Sequence, residues 1–120
     1  MPISDPALLR LRQVCRVLPE VHETTTFGNP TWQAGKKTFA VLDRYQHRPC
    51  IAFKAKPSVQ RLLCETSAYA KSPFGAKHGW TLAWVESRMD WRKLEGLLID
   101  SYRLVALKRM LNTLDGLRAG

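Results

Sequence analysis

Negative charge is scarce through the middle of this chain. Between residues 28 and 82 only Asp43 and Glu65 are acidic, against nine lysines and arginines, so that segment is net +7, whereas residues 1–27 balance three acids with three bases. Solubility does not require such segregation, and it is what the electrostatic footprint of a polyanion-binding surface looks like. Cysteine is sparse as well. Cys15, Cys50 and Cys64 contain no C-x-x-C pair, are odd in number and sit among apolar residues, which points away from a disulfide framework and toward reduced, buried thiols. Nowhere do about 18 apolar residues run together, and the opening Met-Pro-Ile-Ser-Asp-Pro lacks the basic and apolar regions of a secretion signal. The expectation is a soluble, cytoplasmic protein with no membrane association. No Gly-rich phosphate loop, H-E-x-x-H helix, G-x-S-x-G elbow or zinc-spaced Cys/His cluster occurs, and His22, His47 and His78 lie far apart. A non-enzymatic protein without cofactor or metal follows as the expectation.

What is present is one domain's worth of chain, residues 1–120 with 45% hydrophobic content, enough to bury a core without disulfide or metal. Ser4 or Asp5 is placed to cap a first helix that accepts Pro6 in its first turn, carries Leu8, Leu11, Cys15 and Leu18 on one face, and stops at Pro19. Arg12 and Arg16 are expected in solvent. From Val21 the period changes to two. Thr24 to Phe27 reads as a strand ended by Gly28-Asn29-Pro30, and Thr31 to Ala34 as a second strand. Gly35-Lys36-Lys37 forms the next reversal, Thr38 to Leu42 resumes strand character, and Asp43 to Pro49 makes a polar reversal before Cys50 to Lys54. Pro57, Val59, Leu62 and Leu63 mark a short helix, and residues 67–79 read as a loop. Trp80 to Val85 alternates, and the expected register turns Trp80, Leu82 and Trp84, with Phe39 and Val41, toward the helices and leaves Thr81 and Ala83 on the other face. Asp90 caps a long helix bearing Leu94, Leu97, Leu98, Ser101, Tyr102 and Val105 at helical spacing, whose end frays into residues 111–120, the last few of them loose. The fold class is α+β: a two-layer sandwich with helices on one face of an antiparallel sheet.

Two groups of basic residues fall at chain reversals: Lys36 and Lys37 in one, Arg44, His47 and Arg48 in the next. Lysines at a sheet margin also deter edge-to-edge aggregation, so position alone does not assign them a ligand. Lys71, Phe74, Lys77 and His78 add a loop that mixes cations with an aromatic, the combination that serves phosphate contact and base stacking.

Several short runs resemble the MmcQ/YjbR-like family of small bacterial proteins. They are Thr26-Phe27-Gly28-Asn29-Pro30-Thr31-Trp32, Gly35-Lys36-Lys37-Thr38-Phe39-Ala40, Lys54-Ala55-Lys56-Pro57, Lys77-His78-Gly79-Trp80 and Leu98-Ile99-Asp100-Ser101-Tyr102-Arg103-Leu104-Val105, in that order. The resemblance implies a frataxin-like (CyaY-like) sandwich, two hairpins forming a double wing, and a DNA-binding role without catalytic residues. The iron binding known in frataxin-like folds is not expected, because residues 1–27 offer only Asp5, Glu20 and Glu23 as acids. The candidate nucleic-acid-binding residues are Lys36, Lys37, Arg44, His47, Arg48, Lys54, Lys56, Lys71, Phe74, Lys77 and His78, with DNA or another nucleic acid as partner and a monomer expected. The alternative is a protein-interaction or small-anion (nucleotide) domain that uses the same basic surface.

Overall fold

A computed structural model describes residues 5–119 of the chain. The elements follow as α1 (Asp5–Cys15), β1 (Val21–Thr26), β2 (Asn29–Ala34), β3 (Lys37–Tyr45), β4 (Arg48–Lys54), α2 (Pro57–Leu63), β5 (Tyr69–Lys71), a one-turn 3-10 helix (Ala76–His78), β6 (Trp80–Trp84), α3 (Trp91–Val105) and α4 (Lys108–Ala119). The strands form one antiparallel sheet in the order β1-β2-β3-β4-β6-β5. All four helices contribute to one apolar core against a single face of it. The expected α+β sandwich is present.

Two reversals are tighter than their sequence suggests. Phe27-Gly28 joins β1 to β2 and Gln46-His47 joins β3 to β4, and both central residues of each turn have positive φ (50° and 81°, 50° and 67°). That is the pattern of a type I′ turn, whose twist matches the flanking strands and closes a hairpin in two residues. The first reversal is therefore Phe27-Gly28 rather than Gly28-Asn29-Pro30, and Pro30 enters β2 opposite Thr25, ahead of the β2–β3 ladder that begins at Thr31. Similarly Arg44 and Arg48 belong to strands rather than to a long polar loop, and only Gln46 and His47 turn.

The register across the sheet is opposite to the one expected from alternation. Ala83 belongs to the helix-facing core, and Thr81, paired with Phe53 of that core, is fully buried. Trp80, Leu82 and Trp84 instead join Val41, Tyr45, Cys50 and Ala52 in a separate cluster on the far face. Phe39 does face the helices, without Val41, because β3 carries an extra residue. Trp32 pairs with Ala40 and Gln33 with Thr38, so Phe39 is bulged out of the ladder, and both it and Ala40 reach the core. Where the next β3–β4 rung would join Phe39 to Lys54, the buried Ser101 hydroxyl stands between them. It donates to the Phe39 carbonyl at 2.7 Å and accepts from the Lys54 N–H at 2.8 Å. Beside it Tyr102 meets Phe39 edge-on at 5.6 Å and donates its hydroxyl to the Pro19 carbonyl at 2.8 Å.

The first helix ends at Cys15, short of Pro19, and its buried stripe is Ala7, Leu11, Val14 and Cys15, with Leu8 only partly covered. The Ser4 capping alternative lies outside the described residues. Asp90 caps α3 as expected, accepting from the Lys93 N–H at 3.1 Å. Two elements were not foreseen. β5 lies within the supposed loop and is held by its ladder to β6, while the expected frayed end of the long helix is a separate helix, α4, which docks Met110 and Leu114 into the core.

Three outcomes are expected. Ser101→Ala leaves a buried carbonyl and N–H unpaired, and should lower stability by about 2–4 kcal/mol in urea unfolding; a loss below about 0.5 kcal/mol would deny the bridge any structural role. Burial raises the Cys15 and Cys50 thiols from 9.0 to about 12, with Glu23 adding to the first and Asp43 to the second. Folding thus favours the protonated thiol. This contribution is complete below the ordinary thiol pKa and is lost as pH rises from 9 toward 12, so stability should fall across that window, and fall less in Cys50→Ala. Half-buried Cys64 should label with thiol reagents in the native protein, and the other two only on unfolding.

Candidate nucleic-acid interface

Antiparallel pairing sorts the predicted site residues to the two ends of the sheet. β2 and β4 finish, and β3 and β6 begin, at one end, which the pairs Ala34↔Lys37, Lys54↔Trp80 and Lys71↔Thr81 define. Lys36 lies in the turn there, Lys37 opens β3, Lys54 closes β4, and Lys56 precedes α2 at its cap in extended conformation. Lys71 closes β5, and Lys77 and His78 lie in the 3-10 helix that leads into β6. From β3 to β5 is three strand spacings, about 14 Å, so the lysines form a row along this end. Phe74, 89% exposed, stands in the loop between Lys71 and Lys77, with its N–H bonded to the Ser72 hydroxyl.

This basic end is held by backbone. The Ala55 N–H donates to the Gly79 carbonyl at 2.9 Å and couples the end of β4 to the start of β6. Gly79 has φ +92°, and a side chain there would run into the Ala55 carbonyl, so glycine is required for the two chains to approach. The buried Gln60 amide of α2 donates to the Ala76 and Trp80 carbonyls at 3.1 and 3.0 Å, anchoring the Lys77-His78 turn from beneath.

The electrostatics of the two layers differ. Among the described residues every ion pair uses an arginine: Arg12 with Glu23, Arg48 with Glu86, Arg103 with Asp115 and Arg109 with Glu20. The Arg12 and Arg109 hydrogen bonds hold the Glu23 and Glu20 carboxyls below the usual range. None of Lys36, Lys37, Lys54, Lys56, Lys71 and Lys77 is in an ion pair. Lys54 and Lys56 also line a groove of about 320 Å³ together with the apolar Val59 and Leu97 and the charged Asp100 and Arg103.

Arg44, His47 and Arg48 occupy the opposite end. Eight residue steps of β3 separate Lys37 from Tyr45, about 26 Å, so the two basic reversals do not adjoin. The neighbour of the Gln46-His47 tip is instead the Phe27-Gly28 tip, where Phe27 is wholly exposed. Its place before a glycine in a two-residue turn was the available signal. Arg48 lies 4.0 Å from the centre of the Trp84 ring, and Tyr45 packs against the same indole at 6.5 Å. Lys54 stands 5.9 Å from the Trp80 ring. Trp80, Trp84 and Tyr45 were missed as surface residues because alternation says which side chains share a face, not which face is covered.

These features define a two-layer α+β protein with helices on one side, an open sheet face and a lysine-lined end. The chain belongs to the YjbR family, whose sequence pattern matches residues 16–104. It is similar to the crystal structure of Deinococcus radiodurans protein DR2400, which carries the DUF419 domain: TM-score 0.71 and 25% identity, over 82% of this chain and 77% of that one. Comparison with curated proteins finds no match. Among the described residues no helix is long and apolar enough to cross a membrane, and no group of three or more His, Cys, Asp or Glu side chains is placed to hold a metal ion.

The Arg48–Trp84 contact is solvent-exposed, and such cation–π pairs contribute about 0.5–1 kcal/mol. Arg48→Ala should therefore change indole fluorescence while lowering stability by no more than about 1 kcal/mol. A larger loss would make Arg48 a structural residue.

Proposed function

We propose that this protein binds nucleic acid, DNA being the class the family resemblance implies, through phosphate contacts from the lysine row. The observation that carries the reading is the set of six lysines gathered along one end of the sheet without ion-pair partners, whereas Arg12, Arg103 and Arg109 on the helical side are paired to carboxylates. Charges left unpaired in a row are available to a polyanion at no loss of internal contacts. The row of about 14 Å matches roughly four phosphates at the 3.4 Å rise of one strand. His78 and Phe74 border the row, and Arg44, His47 and Arg48 form a second, smaller set at the far end. Lysine neutralises phosphate without reading base edges, so binding is weakly dependent on sequence. The free thiols Cys15, Cys50 and Cys64 suit a reducing cytoplasmic setting.

A second reading, a small-anion or nucleotide site, is favoured by the groove beside Lys54 and Lys56. Asp100 in the same groove opposes it, since a carboxylate repels the anion that the lysines attract.

The test is a salt titration. Four contacts give a slope of log affinity on log salt near −3.6, since each released counterion contributes about −0.9. Lys36→Ala with Lys37→Ala should reduce the slope by about two, equally for unrelated sequences, whereas Arg16→Ala with Arg92→Ala in the helical layer should change it little. Equal losses from both pairs would show only diffuse attraction. Saturable binding of a mononucleotide abolished by Lys54→Ala with Lys56→Ala, without polymer binding, would select the groove reading.

A further inference from the structure

The sheet face turned away from the helices is built the wrong way round for a surface that only meets water. The residues of β6 that point into the core are the small Thr81 and Ala83, both buried, while the large Trp80 and Trp84 are turned outward and keep part of their surface exposed, Trp80 packing against Gly75. Packing alone would place the indoles inside, since burying them removes the most apolar area from water. Tyr45 extends the aromatic surface beside Trp84. Each indole also has a cation at its face, Arg48 at Trp84 and Lys54 at Trp80. Four steps along β6, about 13 Å, separate the two pairs, and the Trp80 pair adjoins the lysine row.

We infer that this open face is a stacking platform for the bases of an unpaired nucleic-acid strand. The inference rests on the nucleic-acid reading above and narrows it to single strands. Arg48 is more than half exposed and tied only to the equally exposed Glu86 at 3.7 Å, so it can leave Trp84 for a phosphate while a base takes its place on the ring. Lys54 does the same at Trp80, next to the phosphates that the lysine row holds. A duplex cannot use the surface. Its bases are stacked on one another, and its major groove admits a helix or a two-stranded ribbon rather than the flat face of a six-stranded sheet. Unpaired bases can be splayed onto aromatic rings, and every base has a π-face, so the platform tolerates any sequence.

The test compares two strands of equal charge at low salt: an oligothymidylate and an abasic strand of the same length. The platform predicts that the oligothymidylate binds at least about tenfold more tightly, with quenched indole emission, and that Trp84→Thr removes most of both differences. The wild-type comparison stands even if that variant does not fold. Equal affinity for the two strands, or preference for duplex, would overturn the platform and leave the lysine row standing. Binding of neither strand nor of duplex would overturn the nucleic-acid reading itself. A concentration-dependent dimer in sedimentation that is lost in Trp84→Thr would overturn the platform by assigning the face to a second copy of the chain.

Discussion

The Ser101 hydroxyl is the contact on which the geometry of the whole molecule turns. The bulge at Phe39 lets two consecutive residues of β3 reach the core, at the expense of the ladder to β4. Ser101 restores both lost bonds from the helical layer, one to each strand, at 2.7 and 2.8 Å with no exposure to solvent. A hydroxyl can donate and accept at once, which is what a carbonyl and an N–H facing each other across a gap require. The same contact fixes the backbone of Lys54, and through its pairing the start of β6 at Trp80. Helix position, sheet register and the placement of the basic end are thus joined at one buried side chain.

Carboxylate partners fall to arginines and not to the lysines of the basic end. Arg12, Arg103 and Arg109 are matched to carboxylates on or next to the helices, in geometries of 2.8 Å. Such exposed pairs contribute little stability. Their larger effect is to lower the positive charge at three places on the helical side, while the lysine row keeps all of its own. Arg48 is the exception on the sheet side, and its long 3.7 Å contact with Glu86 leaves it available.

Much of the architecture was legible in the sequence. Asp90 as a cap, the stripe from Leu94 to Val105, the strand from Trp80 to Trp84 and the short helix after Lys56 all have local causes: a side chain that accepts an N–H, a period, a proline at a first turn. β5 was not legible because three residues show no period and its existence depends on hydrogen bonds to β6. Nor was α4, since Met110 and Leu114 gain their meaning only from the core they enter, after an extended Ala106 has broken α3. The lysines were legible as candidates one at a time. That most of them form one row, while Arg44, His47 and Arg48 stand at the other end, depends on strand direction, which single runs of residues do not carry.

The sequence by itself determined the class of fold, the segregation of charge and the approximate places where the strands reverse, because each depends on residues close together in the chain. Tertiary structure decided which face of the sheet the helices would cover. Trp80, Leu82 and Trp84 share a side by simple alternation, and either side satisfies that pattern. The choice was made by the packing of α3 on β3 and β4, where Leu94, Leu98 and Tyr102 share one buried core with Phe39, Ala40 and Phe53, and where Ser101 needs the bulged strand at hydrogen-bonding distance. That hydroxyl reaches the strand only with the helix on the face toward which Phe39 and Ala40 both point.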